Sequence, residues 1–216
     1  MLSTILKLRT AVAALALVFG SSAALADTTF AVSIDTTMFG NTGWIDFQYN
    51  PAIPGVSPAT AVTLSGFQGF DPGAAVETTS QVSGSLASGY VIGNGETFNS
   101  LFHAVNYGQV LSFDVTFAGD NVDLSGGAYG SLFGVWAYDA DVTATLGASS
   151  AADGRLLDIT WAPATAPGGS GTFNAVSYSD AASISAVPEP SSWLMLGIGG
   201  LLVAGAAYRN RRTNAA

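Results

Sequence analysis

Two short clusters of acidic residues offer the hard oxygen ligands that calcium prefers. Asp120 and Asp123 belong to one cluster, and Asp139 and Asp141 form the other. Carboxylates at positions i and i+2 of a strand share a face, and Ca²⁺ takes about 6–8 oxygen ligands. Neither cluster has the spacing of an EF-hand loop. The four aspartates are therefore candidate calcium ligands, with capping of their own turns as the alternative.

Side chains for nucleophilic or metal-dependent catalysis are scarce. His103 is the sole histidine and cysteine is absent, which excludes a Cys–His pair and any site built on thiolates or on two histidines. There is no G-x-S-x-G nucleophile elbow. Glu77 and Glu96 are the only glutamates between 27 and 187, and nothing in the sequence pairs either one with a second carboxylate, as a glycosidase requires. We expect a structural His103 and no enzymatic activity, with a secreted glycosidase as an alternative.

The segment between 27 and 187 is strongly acidic. It holds 14 acidic residues against Arg155 alone, a net charge of −13. Such a field repels phosphate backbones, so it argues against nucleic acid as a partner. It attracts cations and basic surfaces instead.

In the elements that must position these groups, apolar and polar residues alternate with a period of two. The stretch LSFDVTF at 111–117 alternates apolar and polar side chains, as do 30–36, 45–50 and 157–161. Alternation of this kind predicts half-buried strands. The run at 132–138 is apolar on both faces and predicts a central strand. About nine or ten such runs, separated by turn sequences, favour an all-β domain over 27–186, a β-sandwich of jelly-roll type.

One stretch of this domain has helical spacing instead. Phe98, Leu101, Phe102 and Val105 are spaced as on one face of a helix, and Gly108 stands where such a helix would end. The spacing predicts a single helix over 96–108.

The first 26 residues have the three-part order of a signal peptide. Lys7 and Arg9 precede an apolar stretch at 11–19, and Ala24 and Ala26 supply the small residues before Asp27. We expect signal peptidase to cleave after Ala26, so that the mature chain begins at Asp27 outside the cytoplasm.

The C-terminal region predicts one membrane span. Residues 191–208 form 18 positions without a charge, about 27 Å as a helix, close to the thickness of a hydrocarbon core. Trp193 and Tyr208 stand where interfacial aromatic residues belong, and the basic residues that follow favour the cytoplasmic side. These basic residues are Arg209, Arg211 and Arg212, followed by a short tail at 213–216.

The segment before the span has a composition that an ordinary anchor does not need. Val187, Pro188, Glu189 and Pro190 precede it directly, and the two prolines keep the chain extended, with Glu189 at the membrane surface. These four residues, the Gly-rich span and the arginine cluster, together 187–212, resemble the PEP-CTERM sorting signal of Gram-negative bacteria. The resemblance implies processing by an exosortase, a membrane transpeptidase-like enzyme, after transient anchoring in the inner membrane. A plain C-terminal anchor is the alternative.

The resemblance also implies a destination and a role. PEP-CTERM proteins are delivered to the outer surface or an extracellular matrix, and short ones are associated with exopolysaccharide and biofilm. We therefore expect a secreted, non-catalytic surface or matrix protein with no cofactor besides the candidate calcium. The same tail occurs in some proteins labelled ice-binding, so a carbohydrate- or ice-binding module is an alternative. Such a module would present flat rows of aromatic or threonine side chains, which the pairs Thr28-Thr29, Thr36-Thr37 and Thr78-Thr79 are too irregular to establish.

Overall fold

The fold is described by a computed structural model that covers residues 27–117, 129–164 and 171–188, together with 197, 199 and 201. Its described part contains twelve β-strands. In chain order these are β1 (Thr28–Asp35), β2 (Thr42–Pro51), β3 (Ala61–Gln68), β4 (Val76–Thr78), β5 (Val82–Ser85), β6 (Gly89–Gly93), β7 (Ser100–Asn106), β8 (Val110–Phe117), β9 (Ser131–Asp139), β10 (Leu157–Ala162), β11 (Thr172–Ser177) and β12 (Ala182–Val187).

The strands form two six-stranded antiparallel sheets. The first sheet has the order β12-β1-β8-β3-β6-β5, and the second has the order β11-β10-β9-β2-β7-β4. Side chains from both sheets make one core, in which the rings of Phe47 on β2 and Phe113 on β8 meet edge to face with centroids 5.0 Å apart. The predicted all-β fold is confirmed, and the two layers are consistent with a β-sandwich.

The alternating stretches of the sequence are strands for the reason that the pattern suggests. In β8, Leu111, Phe113, Val115 and Phe117 are buried, and the residues between them are half-buried on the other face. The apolar run in β9 lies between β10 and β2 in the middle of the second sheet, which confirms the predicted central strand.

The predicted helix over 96–108 is wrong. Residues 100–106 form β7, which pairs with β2 on one side and β4 on the other. Leu101, His103 and Val105 face the core, so an alternation was present beneath the apparent helical spacing. Phe102 gives the sequence its apparent helical spacing, because it is an aromatic residue on the outer face of the strand.

The predicted number of strands is too low for a related reason. The strands at the four sheet edges are β12, β5, β11 and β4. In three of them nearly all residues are exposed or half-buried on both faces, and β12 adds only one buried residue. Edge strands with little to bury lack the apolar alternation that would predict them.

Several predicted segments lie outside the described residues. These are the signal peptide at 1–26, the aspartates Asp120 and Asp123, and from the tail Glu189, Pro190, Arg209, Arg211 and Arg212. Within the predicted span at about 191–208, Gly197, Gly199 and Leu201 have helical backbone, and the remaining residues are outside the description. Among the residues described, no helix is both long enough and apolar enough to cross a membrane.

Candidate functional site on the outer face of the second sheet

The outer face of the second sheet carries aromatic and polar side chains side by side. On β2, Ile45, Phe47 and Tyr49 point into the core, so Trp44 and Asp46 point outward. The same alternation turns Phe102 on β7 and Trp136 and Tyr138 on β9 away from the core, but Trp136 is only 8% exposed, and its indole N–H donates to the carbonyl oxygen of Asp153 at 3.2 Å. We call the surface formed by Trp44, Phe102 and Tyr138 the aromatic face.

The three rings of the aromatic face lie side by side on three strands. The rings of Trp44 and Phe102 are stacked, with centroids 5.2 Å apart and planes 25° apart. Phe102 also meets Tyr138 at 5.5 Å. Trp44 lies opposite Tyr138 in the register of β2 and β9, so the three rings form a continuous half-buried patch. An aromatic pair of this kind contributes about 0.5–1.5 kcal/mol beyond the burial of its area, which favours this arrangement of the rings in the free protein.

Two depressions adjoin the stacked pair. The first, of about 310 Å³, is lined by Asp46, Glu77, Phe98 and Phe102, among other residues. The second, of about 380 Å³, is lined by Trp44 and Asp71, among others. Each has a volume near the lower end of the range for small-molecule sites. The stacked pair contributes one ring to each depression, so both open beside the same aromatic patch.

Asp46 lines the first depression as a nearly buried residue. The residue is only 3% exposed. One carboxylate oxygen accepts a hydrogen bond from the Ser100 hydroxyl at 2.5 Å, and the other accepts one from the Gln48 amide at 2.5 Å. The Gln48 carbonyl accepts a bond from Asn50 at 3.0 Å. Burial raises the pKa of Asp46, and the two hydrogen bonds oppose that rise. The arrangement holds a rigid row of polar side chains beside the rings.

A buried tyrosine holds the strands beneath the aromatic face. The hydroxyl of Tyr107 lies 2.8 Å from the carbonyl oxygen of Trp44 and 2.9 Å from that of Tyr138. Burial raises the pKa of Tyr107, so the group stays protonated and donates. Gly43 permits this approach, because a Cβ there would lie 2.5 Å from the Tyr107 ring.

Arg155, the only basic residue between 27 and 187, is held in ion pairs. Its guanidinium lies 3.0 Å from Asp153 and 3.0 Å from Asp158, and it packs over the ring of Tyr178 at 5.0 Å. The hydroxyl of Tyr178 donates to Asp158 at 3.1 Å. The positive charge of this arginine is thus paired within the domain.

His103 lies in the core and faces away from the aromatic face. It is 1% exposed and packs edge to face against Phe70 at 5.5 Å. Its Nδ1–H donates a hydrogen bond to the carbonyl oxygen of Ala104 at 2.7 Å. Burial lowers the pKa of His103, against the effect of that hydrogen bond and of Asp71. The surroundings suit a neutral structural imidazole.

Among the calcium candidates, Asp139 is engaged by its own turn. One carboxylate oxygen accepts from the backbone N–H of Thr143 at 2.7 Å, and the other from the Thr143 hydroxyl at 2.7 Å. These bonds lower the pKa of Asp139. Asp141 is exposed. In the described part of the chain, no three His, Cys, Asp or Glu residues are grouped to hold a metal, and Asp120 and Asp123 lie outside that part.

The two predicted processing sites lie at one end of the first sheet. Val187 is the last residue of β12 and pairs with Thr29 near the start of β1. Pro188 follows directly and is exposed, and Asp27 is an exposed residue just before β1. The chain therefore enters and leaves the domain at neighbouring points, on the sheet that does not carry the aromatic face.

The threonine pairs of the sequence do not make a repeating surface. Thr36 is buried, and Thr37 bonds to Asp35 in a loop. Thr29 does enter a short row on the outer face of the first sheet, beside Thr116 at 2.9 Å and then Thr63. This row has three threonines from three different strands.

Sequence reasoning missed the aromatic face. A usable indication was present in β2, where Trp44 has the same phase as the polar residues Asp46 and Gln48. An aromatic residue on the polar side of an alternating strand points to an exposed ring. In β7 the predicted helix concealed the corresponding position of Phe102.

Comparison with known proteins identifies one recognised motif in this chain. No curated protein and no solved structure matches it. Residues 186–212 match the family model of the PEP-CTERM protein-sorting motif, which agrees with the resemblance of 187–212. The motif indicates export and sorting by an exosortase. The chain therefore carries the sorting motif of the PEP-CTERM proteins at its C-terminal end.

Proposed function

We propose that this is a non-catalytic protein of the cell surface or extracellular matrix that binds a polysaccharide through its aromatic face. The carrying observation is the fixed patch of Trp44, Phe102 and Tyr138 beside two depressions. Aromatic ring faces are electron-rich, and the C–H groups on the flat side of a sugar ring carry partial positive charge. The neighbouring carboxylate and amide groups of Glu77 and Gln48 supply hydrogen-bond acceptors and donors for sugar hydroxyls.

The order of the strands supports a jelly-roll assignment for the first eight of them. β1 pairs with β8, β2 with β7 and β3 with β6, the nested pairing of a long hairpin rolled over two layers. β5 departs from it by joining β6 instead of β4. Jelly rolls include lectin domains, but a shared fold is only an analogy, and the proposal depends on the aromatic face.

The processing pathway leaves the aromatic face accessible. In this proposal signal peptidase cleaves after Ala26, the span at about 191–208 holds the protein in the inner membrane, and an exosortase then acts near Glu189. The sandwich is tethered beyond Val187 on the first sheet, while the aromatic face lies on the second. The aromatic face can therefore contact a polysaccharide of the outer surface or matrix.

A glycosidase is the second candidate, because Asp46 and Glu77 line the same depression. Burial raises the pKa of Asp46, as a general acid requires. However, both oxygens of Asp46 are already hydrogen-bonded and the group is 3% exposed. The geometry therefore favours binding over hydrolysis.

The test uses the exported protein from a host that carries an exosortase. Co-sedimentation with insoluble polysaccharides, including the exopolysaccharide of that host, measures binding, and release of reducing ends measures hydrolysis. Trp44→Ala and Phe102→Ala should each weaken binding by about tenfold. Tyr129→Ala is the control, because this exposed aromatic residue lines neither depression. Binding that survives both substitutions would refute the proposal, and reducing ends lost in Asp46→Asn would favour the glycosidase.

A further inference from the structure

The charged side chains around the aromatic face restrict the charge that its ligand can carry. Each depression has an exposed carboxylate at its margin, Glu77 in the first and Asp71 in the second. Asp46 adds a buried carboxylate to the first. A ligand that enters either depression therefore meets negative charge, in a domain whose net charge over 27–187 is −13.

No lysine or arginine of this domain is free to receive a negatively charged ligand. Its single basic residue, Arg155, is paired with Asp153 and Asp158 at 3.0 Å each. Glycans rich in uronic acid or sulfate would approach carboxylates without a compensating arginine or lysine. Like charges brought together in this way disfavour binding.

The aromatic rings favour the same sign of charge as the carboxylates do. An ammonium group over the face of a tryptophan or tyrosine ring is attracted by the electrons of that ring. Trp44 adjoins the depression of Asp71, and Phe102 adjoins that of Glu77. A sugar that stacks on either ring can thus place an amine near a carboxylate.

We propose that the aromatic face selects a cationic glycan, a chain of hexosamine units with free amino groups, over neutral and anionic glycans. This inference rests on the proposed polysaccharide binding and specifies its substrate class. Ring stacking holds the sugar backbone, and Glu77 and Asp71 pair with its ammonium groups. The carboxylates contribute most to the preference for the amine, and the rings contribute most to binding itself.

The test compares three soluble hexamers by calorimetry on the full-length exported protein. They are a glucosamine hexamer, the same hexamer fully N-acetylated, and a uronic acid hexamer. The measurement is made at about pH 5, because a sugar amine, like an α-amino group, has a pKa well below that of lysine. The glucosamine hexamer should bind about 3- to 30-fold more tightly than its acetylated form, and the uronic acid hexamer should bind least. Raising the salt to about 0.5 M should reduce the preference.

Variants separate local charge from overall charge. Glu77→Gln should lower the preference several-fold and weaken the acetylated hexamer by a smaller factor, because the glutamine carbonyl still accepts hydrogen bonds from sugar hydroxyls. Asp114→Asn is the matched control, since it removes one carboxylate from the outer face of the first sheet and should change nothing. Trp44→Ala should weaken both glucosamine and acetylated hexamers. Thermal melts confirm that each variant is folded.

The outcomes distinguish this inference from the proposed function. Equal binding of the amine and acetylated hexamers would overturn the inference and leave polysaccharide binding intact. Failure of every hexamer and polysaccharide to bind would overturn both. If oligolysine bound as tightly as the glucosamine hexamer and Trp44→Ala affected neither, the attraction would be nonspecific and the inference wrong.

Discussion

Replacing Tyr107 by phenylalanine removes one hydroxyl from beneath the aromatic face and leaves the ring in place. That hydroxyl is within 2.8 Å of the Trp44 carbonyl oxygen and 2.9 Å of the Tyr138 carbonyl oxygen. Tyr107 is 7% exposed, so water cannot readily replace the lost donor. Leaving a buried polar group without its partner costs about 1–3 kcal/mol.

The expected effect on thermal stability follows from that cost. In a domain of this size about 1 kcal/mol shifts the melting temperature by about 2–4 °C, so Tyr107→Phe should lower it by about 2–12 °C. Affinity for the polysaccharide should also fall, because the freed carbonyls belong to the strands that carry Trp44 and Tyr138. Calorimetric melting and co-sedimentation of the exported protein measure the two effects.

Tyr129→Phe is the matched control for this experiment. It makes the same chemical change at a side chain that is 48% exposed, and surface substitutions usually shift stability by less than about 0.5 kcal/mol. If Tyr107→Phe costs no more than Tyr129→Phe, the hydroxyl does not hold the strands and the reasoning is refuted.

Four further predictions concern sorting, pH and calcium. Glu189→Ala in a host with an exosortase should leave unprocessed protein in the inner membrane, seen by fractionation and intact mass; normal sorting would indicate a plain anchor. Because the pKa of Asp46 is raised, wild type should gain stability relative to Asp46→Asn as pH falls from 7 towards about 4. The pKa of His103 is lowered, so the pH dependence of its contribution to stability runs the other way. Wild type should lose stability relative to His103→Gln below about pH 6.5. For either residue, a stability difference that urea denaturation shows to be constant over its pH range would contradict the assignment. If Asp120 and Asp123 bind calcium, calcium at about a hundredfold above its dissociation constant should stabilise the fold by about 2.7 kcal/mol, and an identical melting temperature in chelator would exclude this.

Most of the strands that sequence reasoning found bury one face, and the central strand β9 was found because it is apolar on both. Alternation at 111–117 appears because β8 lies inside the first sheet, with one face on the core. The edge strands β4 and β5 bury little, so their sequences carry little pattern. In β7, Phe102 on the outer face supplied a false helical spacing, because residue spacing alone cannot tell a ring on the surface from one in the core.

The sorting motif was predictable because it is a linear feature. Two prolines, a glutamate, an apolar run and an arginine cluster are recognised in chain order, and no distant residue contributes to them. The aromatic face has the opposite character. Trp44, Phe102 and Tyr138 lie on three strands far apart in sequence, and only the pairing of β2 with β7 and β9 brings them together. Strand register depends on how both sheets bury their inner faces at once, and it is therefore set by the tertiary structure.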